Sequence, residues 1–435
     1  MKTEISELYH YFLRHPLVTT DTRNCPLGSI FFALRGESFD GNKFALLAIE
    51  KGCSLAVVDD PVYKGMANMF FVDDVLVALQ HLANHHRKQL NIPIIGITGS
   101  NGKTTTKELV SSVLAKKFNV YFTQGNLNNH IGVPLTLLAM DSSTEMGVVE
   151  MGANHPGEIA LLCEIAEPDF GIITNIGKAH IEGFGSYEGV RKTKGELYDH
   201  LSQKNGVVFV NANDEVLMGM SSHMRRVLYG VECSDAMVSG GDVSVSPFLS
   251  FSWNGKDGNA VSHVQSQMVG TYNVANFLAA VTVGKWFGVA DENINQALSD
   301  YTPVNNRSQL IHGENNTVLM DAYNANPSSM AVALDNFNAI SHPQKIAVIG
   351  SMKELGHVSE EEHQRVVEML RTANVMKVYL VGDEFSFADG QPGMTVFNKV
   401  DELIDQLKQV PLKDAFILVK GSRGNKLETI LPFIQ

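Results

Sequence analysis

Residues 94–106, with the sequence Ile-Ile-Gly-Ile-Thr-Gly-Ser-Asn-Gly-Lys-Thr-Thr-Thr, constrain the fold of this chain more than any other stretch. The short run of β-branched residues predicts a buried strand that breaks into a glycine-bearing turn. Apolar residues then recur on one face of a predicted helix, namely Leu109, Val110, Val113 and Leu114. A strand, a glycine turn and a helix N-terminus are typical of a phosphate-binding loop, because backbone N–H groups and the helix dipole both face the anion.

The Lys-Thr pair at the start of the predicted helix supports this interpretation. Lys103 would reach the terminal phosphates of a nucleotide, and the Thr104 hydroxyl would bind Mg²⁺. The spacing departs from the standard P-loop pattern, since Gly102 follows Gly96 by six positions and Gly99 by three. The alternative is an ordinary strand-to-helix turn with a surface lysine. We favour the phosphate loop because two glycines, a Lys-Thr pair and a threonine cluster rarely coincide otherwise.

The composition indicates a multidomain globular protein. A chain of 435 residues predicts about two or three domains, and its 44% apolar and 19% charged content is ordinary. The 34 Lys and Arg against 47 Asp and Glu give a net charge of −13, which argues against a nucleic-acid-binding surface. Four scattered cysteines suit a reducing cytosol. No signal-like segment or membrane-length apolar run is found, so we expect a cytoplasmic protein.

Alternating strand-like and helix-like segments predict an α/β fold in three units, with boundaries at 1–88, 89–304 and 305–435. Residues 240–268 alternate with period two, which predicts a β-rich insertion with a turn at Asn254-Gly255. Asn326 followed by Pro327 predicts the start of a helix, because asparagine is a good N-cap and proline suits the first helical position.

Polar residues at predicted strand ends are candidate ligands. Glu150 ends an apolar strand, where a carboxylate would hold Mg²⁺; a helix cap or an ion pair is the alternative. His180 follows another strand and is a candidate metal or phosphate ligand, with a structural histidine as the alternative. Asn273 and Asn276 share a helix face, and their amides would pair with the edges of a nucleobase. Lys194 lies in a basic run, which spacing alone assigns to a solvated helix face.

These motifs resemble a known family, the ATP-dependent Mur ligases of bacterial cell-wall synthesis. The resemblance covers nearly the whole chain and rests on six segments: 98–104, 125–129, 150–155, 180–185, 323–326 and 420–423. The phosphate loop is shared with sister ligases and with folylpolyglutamate synthase. The Gly-Asn-Leu-Asn-Asn and Tyr-Asn-Ala-Asn segments are similar to the branch that adds D-alanyl-D-alanine to UDP-N-acetylmuramoyl-tripeptide.

The resemblance implies a three-domain architecture: a UDP-MurNAc-binding N-terminal domain, a central P-loop ATPase-like parallel-sheet domain and a Rossmann-like C-terminal domain that closes on ATP and the dipeptide. It implies an ATP-dependent amide ligase that forms an acyl phosphate and uses two Mg²⁺. Its partners would be small molecules (UDP-MurNAc-tripeptide, D-Ala-D-Ala and ATP), with no nucleic acid, no membrane and a monomeric state. The alternatives are a sister Mur ligase, a folylpolyglutamate synthase-type ligase, and a P-loop protein that binds ATP without catalysis.

The resemblance also implies roles for individual residues. Those for catalysis and metal binding are Lys103, Thr104, Glu150, His180 and Lys194, the last matching a lysine that is N-carbamylated in sister ligases and bridges to the second metal. Those for ATP are Asn101, Gly102, Lys103, Thr104, Thr105, Asn273, Asn276, Arg307 and Asp321. Those for the other substrates are Thr22 and Arg23 at the uridine diphosphate, Asn126, Asn128 and Asn129 at the muramoyl-peptide, and Tyr323, Asn324 and Asn326.

The sequence departs from the family pattern at three places. Tyr272 stands where relatives often carry His, and Asn305-Asn306 precedes Arg307 where Pro-Gly is frequent. Both departures are compatible with ATP binding. Ser351 stands where an Asp-Met-x-Glu-Leu-Gly segment usually begins with Asp, which leaves that loop without an assigned role.

Overall fold

The computed structural model of the protein describes residues 2–178, 181–245, 247–256, 261–303 and 306–435. Across these residues the chain forms three larger sheets and a two-stranded ribbon, in an α/β fold. The predicted metal ligand His180 and the predicted boundary between 304 and 305 lie outside the described residues.

The first sheet is small and fully parallel, with the strand order β1-β2-β5-β6. Its inner strands are apolar and completely buried, which explains why these short runs form strands at all. The elements of this unit are α1 (Lys2–Arg14), β1 (Val18–Thr19), β2 (Ile30–Phe32), β3 (Arg35–Gly36), β4 (Phe39–Asp40), α2 (Ala45–Glu50), β5 (Leu55–Val58), β6 (Met69–Phe71) and α3 (Val75–Leu90).

Helix α3 attaches this first sheet to the next part of the chain. It starts at the N-cap Asp74, whose side chain accepts from the Val77 N–H, and ends at Asn91 in the left-handed conformation. Near its C-terminus the Arg87 guanidinium donates to the carbonyls of residues 166 and 167 and pairs with Asp169 at 2.8 Å. One continuous apolar core extends from the first sheet through α3 to one face of the second sheet.

The second sheet has nine strands in the order β15-β14-β13-β12-β11-β10-β7-β9-β8, parallel from β8 to β13 and antiparallel beyond. Its elements are β7 (Ile94–Thr98), α4 (Lys103–Leu114), β8 (Val120–Phe122), α5 (Gly132–Leu138), β9 (Met146–Glu150), α6 (Glu158–Ala166), β10 (Phe170–Ile173), α7 (Ile181–Phe184), α8 (Tyr187–Gln203), β11 (Val207–Asn211), α9 (Glu215–Met220), β12 (Arg225–Val231), β13 (Val238–Val245), β14 (Leu249–Gly255), β15 (Ser262–Gln265), α10 (Val274–Trp286) and α11 (Asp291–Asp300).

The register of this sheet determines where the polar loops meet. Strand β7 lies between β9 and β10, with Ile97 opposite Glu150 and Thr98 opposite Ile173. The loops after these three parallel strands therefore share one edge, which is where α/β folds bind ligands. The turn predicted at Asn254-Gly255 is wrong, because both residues pair with β13 inside β14. The β-rich segment continues the main sheet, since β13 pairs with β12.

The third sheet has six strands in the order β16-β17-β21-β18-β19-β20, all parallel except β16 at the edge. The predicted helix start is confirmed: Asn326 and Ser329 form a capping box, and Pro327 is the first helical residue. The elements are β16 (Gln309–His312), β17 (Thr317–Asp321), α12 (Pro327–Ala339), β18 (Lys345–Gly350), α13 (Ser359–Thr372), β19 (Lys377–Val381), β20 (Met394–Phe397), α14 (Val400–Gln409) and β21 (Phe416–Lys420).

The third unit lies directly against the loop that follows β7. The Asn326 Nδ2 donates to the Asn101 Oδ1 at 2.8 Å, and the Lys178 ammonium pairs with Glu362 at 3.0 Å. The Lys178 backbone N–H also donates to the Ser328 hydroxyl. The N-terminus of α12 and the start of α13 therefore lie beside the loops that follow β7 and β10. Among the described helices, none combines the length and the apolar composition that a bilayer crossing requires.

Candidate active site

The loop between β7 and α4 has the backbone geometry of a phosphate loop. Gly99 has φ +141° and Gly102 has φ +78°, conformations that favour glycine. A Cβ on Gly99 would lie 2.0 Å from the Thr174 hydroxyl, so the loop also depends on close packing. The loop is fixed from β10, because the Asn175 side chain accepts from the Asn101 N–H at 3.1 Å and donates to the Asn101 carbonyl at 3.0 Å.

Lys103 begins α4 and turns back over this loop. Its ammonium donates to the carbonyls of Gly99 at 2.8 Å and Ser100 at 3.1 Å. Burial lowers the Lys103 pKa to about 8; the Glu150 carboxylate acts to raise this pKa, and the Arg307 cation lowers it further. The charge of Lys103 is therefore influenced by both an anion and a second cation, and the buried Thr104 follows Lys103 in the sequence.

Glu150, at the end of β9, carries an unsatisfied oxygen. The residue is 1% exposed, and its Oε1 accepts from the Asn128 Nδ2 at 2.8 Å. Its Oε2 is buried and has no hydrogen-bond partner, and it forms no ion pair with a described residue. Within the described part of the chain, Glu150 therefore forms neither the helix cap nor the ion pair that were the alternatives to a role in Mg²⁺ binding. A buried oxygen without a partner is costly unless a cation binds it.

Lys194 lies in the middle of α8 and is buried, so the interpretation as a solvated surface lysine is wrong. It is 2% exposed, and its ammonium donates to the Ala153 carbonyl at 3.2 Å and lies 5.1 Å from the centre of the Phe184 ring. Burial lowers the Lys194 pKa to about 7, and the Lys103 cation contributes to the shift. Helical periodicity could have predicted this burial from the sequence, because Val190, Lys194 and Leu197 lie on one buried face of α8.

The two candidate adenine ligands support the phosphate loop instead of presenting free amide edges. Asn276 accepts from the Thr106 hydroxyl at 3.1 Å and donates to the Asn273 Oδ1 at 3.0 Å. Asn273 in turn donates to the Val269 carbonyl. A Cβ on Gly102 would lie 2.8 Å from the Asn276 Oδ1, so this amide packs against the loop itself. Their role in adenine binding stays a prediction.

Two arginines and a tyrosine form a cluster on the third unit. The Arg307 Cζ lies 3.8 Å from the centre of the Tyr323 ring, and the Arg423 Cζ lies 5.3 Å from the same centre. The Arg307 Nε is buried and has no hydrogen-bond partner within the described part of the chain. Among the described residues, neither guanidinium forms an ion pair. Nearby, the predicted ATP ligand Asp321 pairs with Lys420 at 2.6 Å. The cluster offers cations to an anionic ligand.

Several other predicted residues have local roles. The Asn129 Oδ1 accepts from the N–H groups of residues 131 and 132, and the Asn324 Oδ1 accepts from that of residue 325. Asn126 and Thr105 make no side-chain hydrogen bond with a described residue. In the first unit Arg23 pairs with Asp21, and the Thr22 carbonyl accepts from Lys51. No described contact joins Thr22 or Arg23 to the phosphate loop, so their substrate roles stay predictions.

The loop at Ser351 holds the end of β21. The Ser351 hydroxyl donates to the Asn425 Oδ1 at 3.1 Å, and the Lys353 N–H donates to the Ser422 hydroxyl at 3.1 Å. His363 accepts from the Met352 N–H, which fixes the loop from α13. The serine therefore takes part in a structural network that positions the turn after β21.

Comparison with known proteins identifies the family. The model described as "Mur ligase middle domain" matches residues 97–284, and that described as "Mur ligase, glutamate ligase domain" matches residues 306–423. The chain is 35% identical over 427 residues to the UDP-N-acetylmuramoyl-tripeptide--D-alanyl-D-alanine ligase of Bacillus subtilis (strain 168), covering 95% of this chain and 92% of the relative. The chain belongs to the Mur ligase family.

Solved structures of Mur ligases share the architecture of this one. The crystal structure of MurF from Acinetobacter baumannii superposes with a TM-score of 0.86 at 30% identity, over 95% of this chain and 92% of that chain. MurF ligase from Thermotoga maritima, solved in complex with ADP, superposes with a TM-score of 0.85 at 26% identity, over 97% of both chains. The expected three-domain Mur ligase fold, with a central parallel-sheet domain and a C-terminal sheet domain, is confirmed.

Proposed function

We propose that this Mur ligase is an ATP-dependent amide ligase that adds D-Ala-D-Ala to UDP-N-acetylmuramoyl-tripeptide in peptidoglycan precursor synthesis. The observation that carries the proposal is the convergence at one sheet edge of the phosphate loop, the unsatisfied Glu150 oxygen and the buried Lys194. The relatives that match nearly the whole chain bear the name of this activity, and a relative of the same fold binds ADP. A cytoplasmic, monomeric enzyme is part of the proposal.

The chemistry requires an unreactive carboxylate to become an electrophile. The tripeptide carboxylate attacks the γ-phosphate of ATP and gives an acyl phosphate and ADP; the free amine of D-Ala-D-Ala then attacks the acyl carbon, and phosphate leaves. The first step brings two anions together, and a pair of unit charges ~4 Å apart is worth roughly 4 kcal/mol at an effective dielectric of about 20. Lys103 and Arg307 lie where their positive charges would offset this repulsion.

The residues at the loop fit Mg²⁺. The Glu150 Oε2 is a buried carboxyl oxygen without a hydrogen-bond partner among the residues that the structure describes, and the Thr104 hydroxyl lies at the start of α4. Oxygen ligands of this kind are those that Mg²⁺ prefers. We assign one ion to Glu150 and Thr104, and a second to His180 and a carbamate on Lys194. Bound there, Mg²⁺ would neutralise phosphate charge.

A carbamate on Lys194 follows from the environment of its amine. Carbamylation requires the neutral amine, and an ordinary lysine with a pKa of about 10.4 provides little of it at neutral pH. With its pKa lowered to about 7, about half of Lys194 is neutral at pH 7. The same lysine environment would then stabilise the anionic product, since Lys103 contributes a positive charge nearby.

Carbamylation is tested by two measurements. Bicarbonate should restore activity to enzyme prepared in CO₂-free buffer, and short carboxylates should partly restore activity to the Lys194→Ala variant. The absence of both responses contradicts the carbamate.

The test of the function is phosphate release with a panel of amines. With ATP and UDP-MurNAc-tripeptide carrying lysine or diaminopimelate, D-Ala-D-Ala should stimulate release, and single amino acids should not. Stimulation by a single amino acid would indicate a sister ligase, and stimulation by glutamate with a folate would indicate a folylpolyglutamate synthase-type enzyme. ATP binding without phosphate release, whichever amine is supplied, would indicate a non-catalytic nucleotide-binding protein. The Lys103→Ala variant should lose phosphate release and keep binding of the nucleotide-sugar peptide.

A further inference from the structure

Arg423 lies in the first turn after β21 and has no assigned role. Its guanidinium is over the Tyr323 ring, in the Tyr-Asn-Ala-Asn segment that the resemblance connects with substrate. Arg423 is exposed and forms no ion pair or side-chain hydrogen bond with a described residue. An arginine held against an aromatic ring and left without an anion is suited to bind a carboxylate or phosphate of a ligand.

The backbone that carries Arg423 is held firmly in position. A Cβ on Gly421 would lie 2.9 Å from the Gly350 Cα, so the end of β21 packs tightly against the end of β18. The Ser422 hydroxyl accepts from the Lys353 N–H at 3.1 Å and lies 3.5 Å from the Ala325 carbonyl, two residues after Tyr323. The turn and the tyrosine segment are therefore connected to each other, and the guanidinium is preorganised above the ring.

The two arginines of this cluster occupy different positions around Tyr323. The Arg307 Cζ lies 3.8 Å from the centre of the Tyr323 ring, and the Arg307 Nε is buried. The Arg423 Cζ lies 5.3 Å from the same centre, and the Arg423 side chain is exposed. The two guanidinium groups are therefore not equivalent. A second anionic group, carried by a substrate other than ATP, would explain why this cluster contains a second arginine.

The incoming dipeptide supplies that group. Its amine must reach the acyl carbon, and its own carboxylate lies two residues away, which is at most about 7 Å along an extended chain. The carboxylate therefore stays close to the reacting groups, where a guanidinium would pair with it. We infer that Arg423 binds the C-terminal carboxylate of the incoming dipeptide, with Tyr323 as its support, and so selects a substrate with a free carboxyl terminus. This inference rests on the proposed function and deepens it.

The experiment compares Arg423→Gln with the wild-type enzyme in the phosphate-release assay, using D-Ala-D-Ala and its neutral counterpart D-alanyl-D-alaninamide. The loss of a hydrogen-bonded charge pair should raise the KM for D-Ala-D-Ala about 10- to 100-fold. The KM values for ATP and the nucleotide-sugar peptide should change less than about twofold. The wild-type preference for the acid over the amide should fall to near unity in the variant, and Arg423→Lys should restore part of it.

Lys426→Gln provides a matched control, since Lys426 is an exposed cation three residues further along the chain with no ion pair among the described residues. This control should retain wild-type constants. An unchanged KM for D-Ala-D-Ala, or a preserved acid preference in Arg423→Gln, overturns the inference. A rise in the KM for ATP instead would make Arg423 a phosphate ligand and also overturn it. If the wild-type enzyme releases no phosphate with these substrates, the proposed function itself fails, which is a different result.

Discussion

Replacing Lys194 by methionine should stabilise the protein while abolishing its activity. Methionine is close to lysine in size and apolar, so it fills the same buried position on α8 without a charge. The Lys194 pKa is lowered from 10.5 to about 7, which means that the folded state binds this proton more weakly than the unfolded chain. At 1.36 kcal/mol per pKa unit, keeping a protonated Lys194 in the folded state costs about 5 kcal/mol at pH 6.

The cost of burying the Lys194 charge depends on pH, and the direction of that dependence follows from the lowered pKa. Between about pH 7 and pH 10.5 the unfolded chain holds the proton and the folded chain does not, so wild-type stability rises with pH through this window. The cost therefore falls to roughly 3 kcal/mol at pH 8.5. The variant loses the hydrogen bond to the Ala153 carbonyl, which costs about 1 kcal/mol. The expected net gain is about 4 kcal/mol at pH 6 and about 2 kcal/mol at pH 8.5.

Urea unfolding of both proteins in CO₂-free buffer at the two pH values measures this difference. Lys192→Met is the matched control, because Lys192 is an exposed lysine on the same helix; it should change stability by less than about 0.5 kcal/mol at either pH. Bicarbonate should stabilise the wild type and leave Lys194→Met unchanged, since only the lysine binds CO₂. A Lys194→Met protein that is less stable than the wild type at pH 6, or a gap equal at both pH values, would refute the reasoning.

Three further changes test the phosphate loop and its contacts. Gly99→Ala should lose nucleotide binding in calorimetry and about 2–4 kcal/mol of stability, because its Cβ would lie 2.0 Å from the Thr174 hydroxyl at a φ of +141°; normal ADP binding would contradict this. Glu150→Gln should raise the Mg²⁺ concentration for half-maximal phosphate release at least about tenfold, since the anionic Oε2 is removed; an unchanged Mg²⁺ dependence would exclude this carboxylate as a ligand. Asn326→Ala should cost about 1–2 kcal/mol in urea unfolding through the lost helix cap. It should also raise the KM for ATP, because the contact with Asn101 disappears; equal KM values would limit Asn326 to capping.

The sequence was most informative where a local rule and the tertiary structure agree. The strand before the phosphate loop and the helix start at Asn326 follow from a β-branched run and from capping chemistry. Glu150 ends a strand as expected, and the parallel pairing of β7 with β9 brings that strand end to the edge where the phosphate loop begins.

The remaining features depend on which elements pack together. The basic neighbours of Lys194 in the sequence indicated a solvated side chain. In the structure Lys194 shares a helix face with Val190 and Leu197, and this face is buried. The Asn254-Gly255 pair matches hairpin chemistry, but pairing with β13 overrides this local preference. In the sequence, Arg423 belongs to the family segment 420–423, but its contact with Tyr323 could not be predicted because it joins positions a hundred residues apart.

Helix α3 makes the first two sheets physically inseparable. Its apolar face and the strands on both sides of it belong to one core, and Arg87 ties its end to the second sheet. Cutting the chain ahead of Val75 would leave that face in water and drive aggregation of the remainder. A hybrid enzyme that borrows the first sheet of a relative would therefore have to import this helix together with the surface it covers. The last unit could be exchanged more freely, because one of its two cores is entirely its own and the other includes Val269 and Phe248 from the second unit.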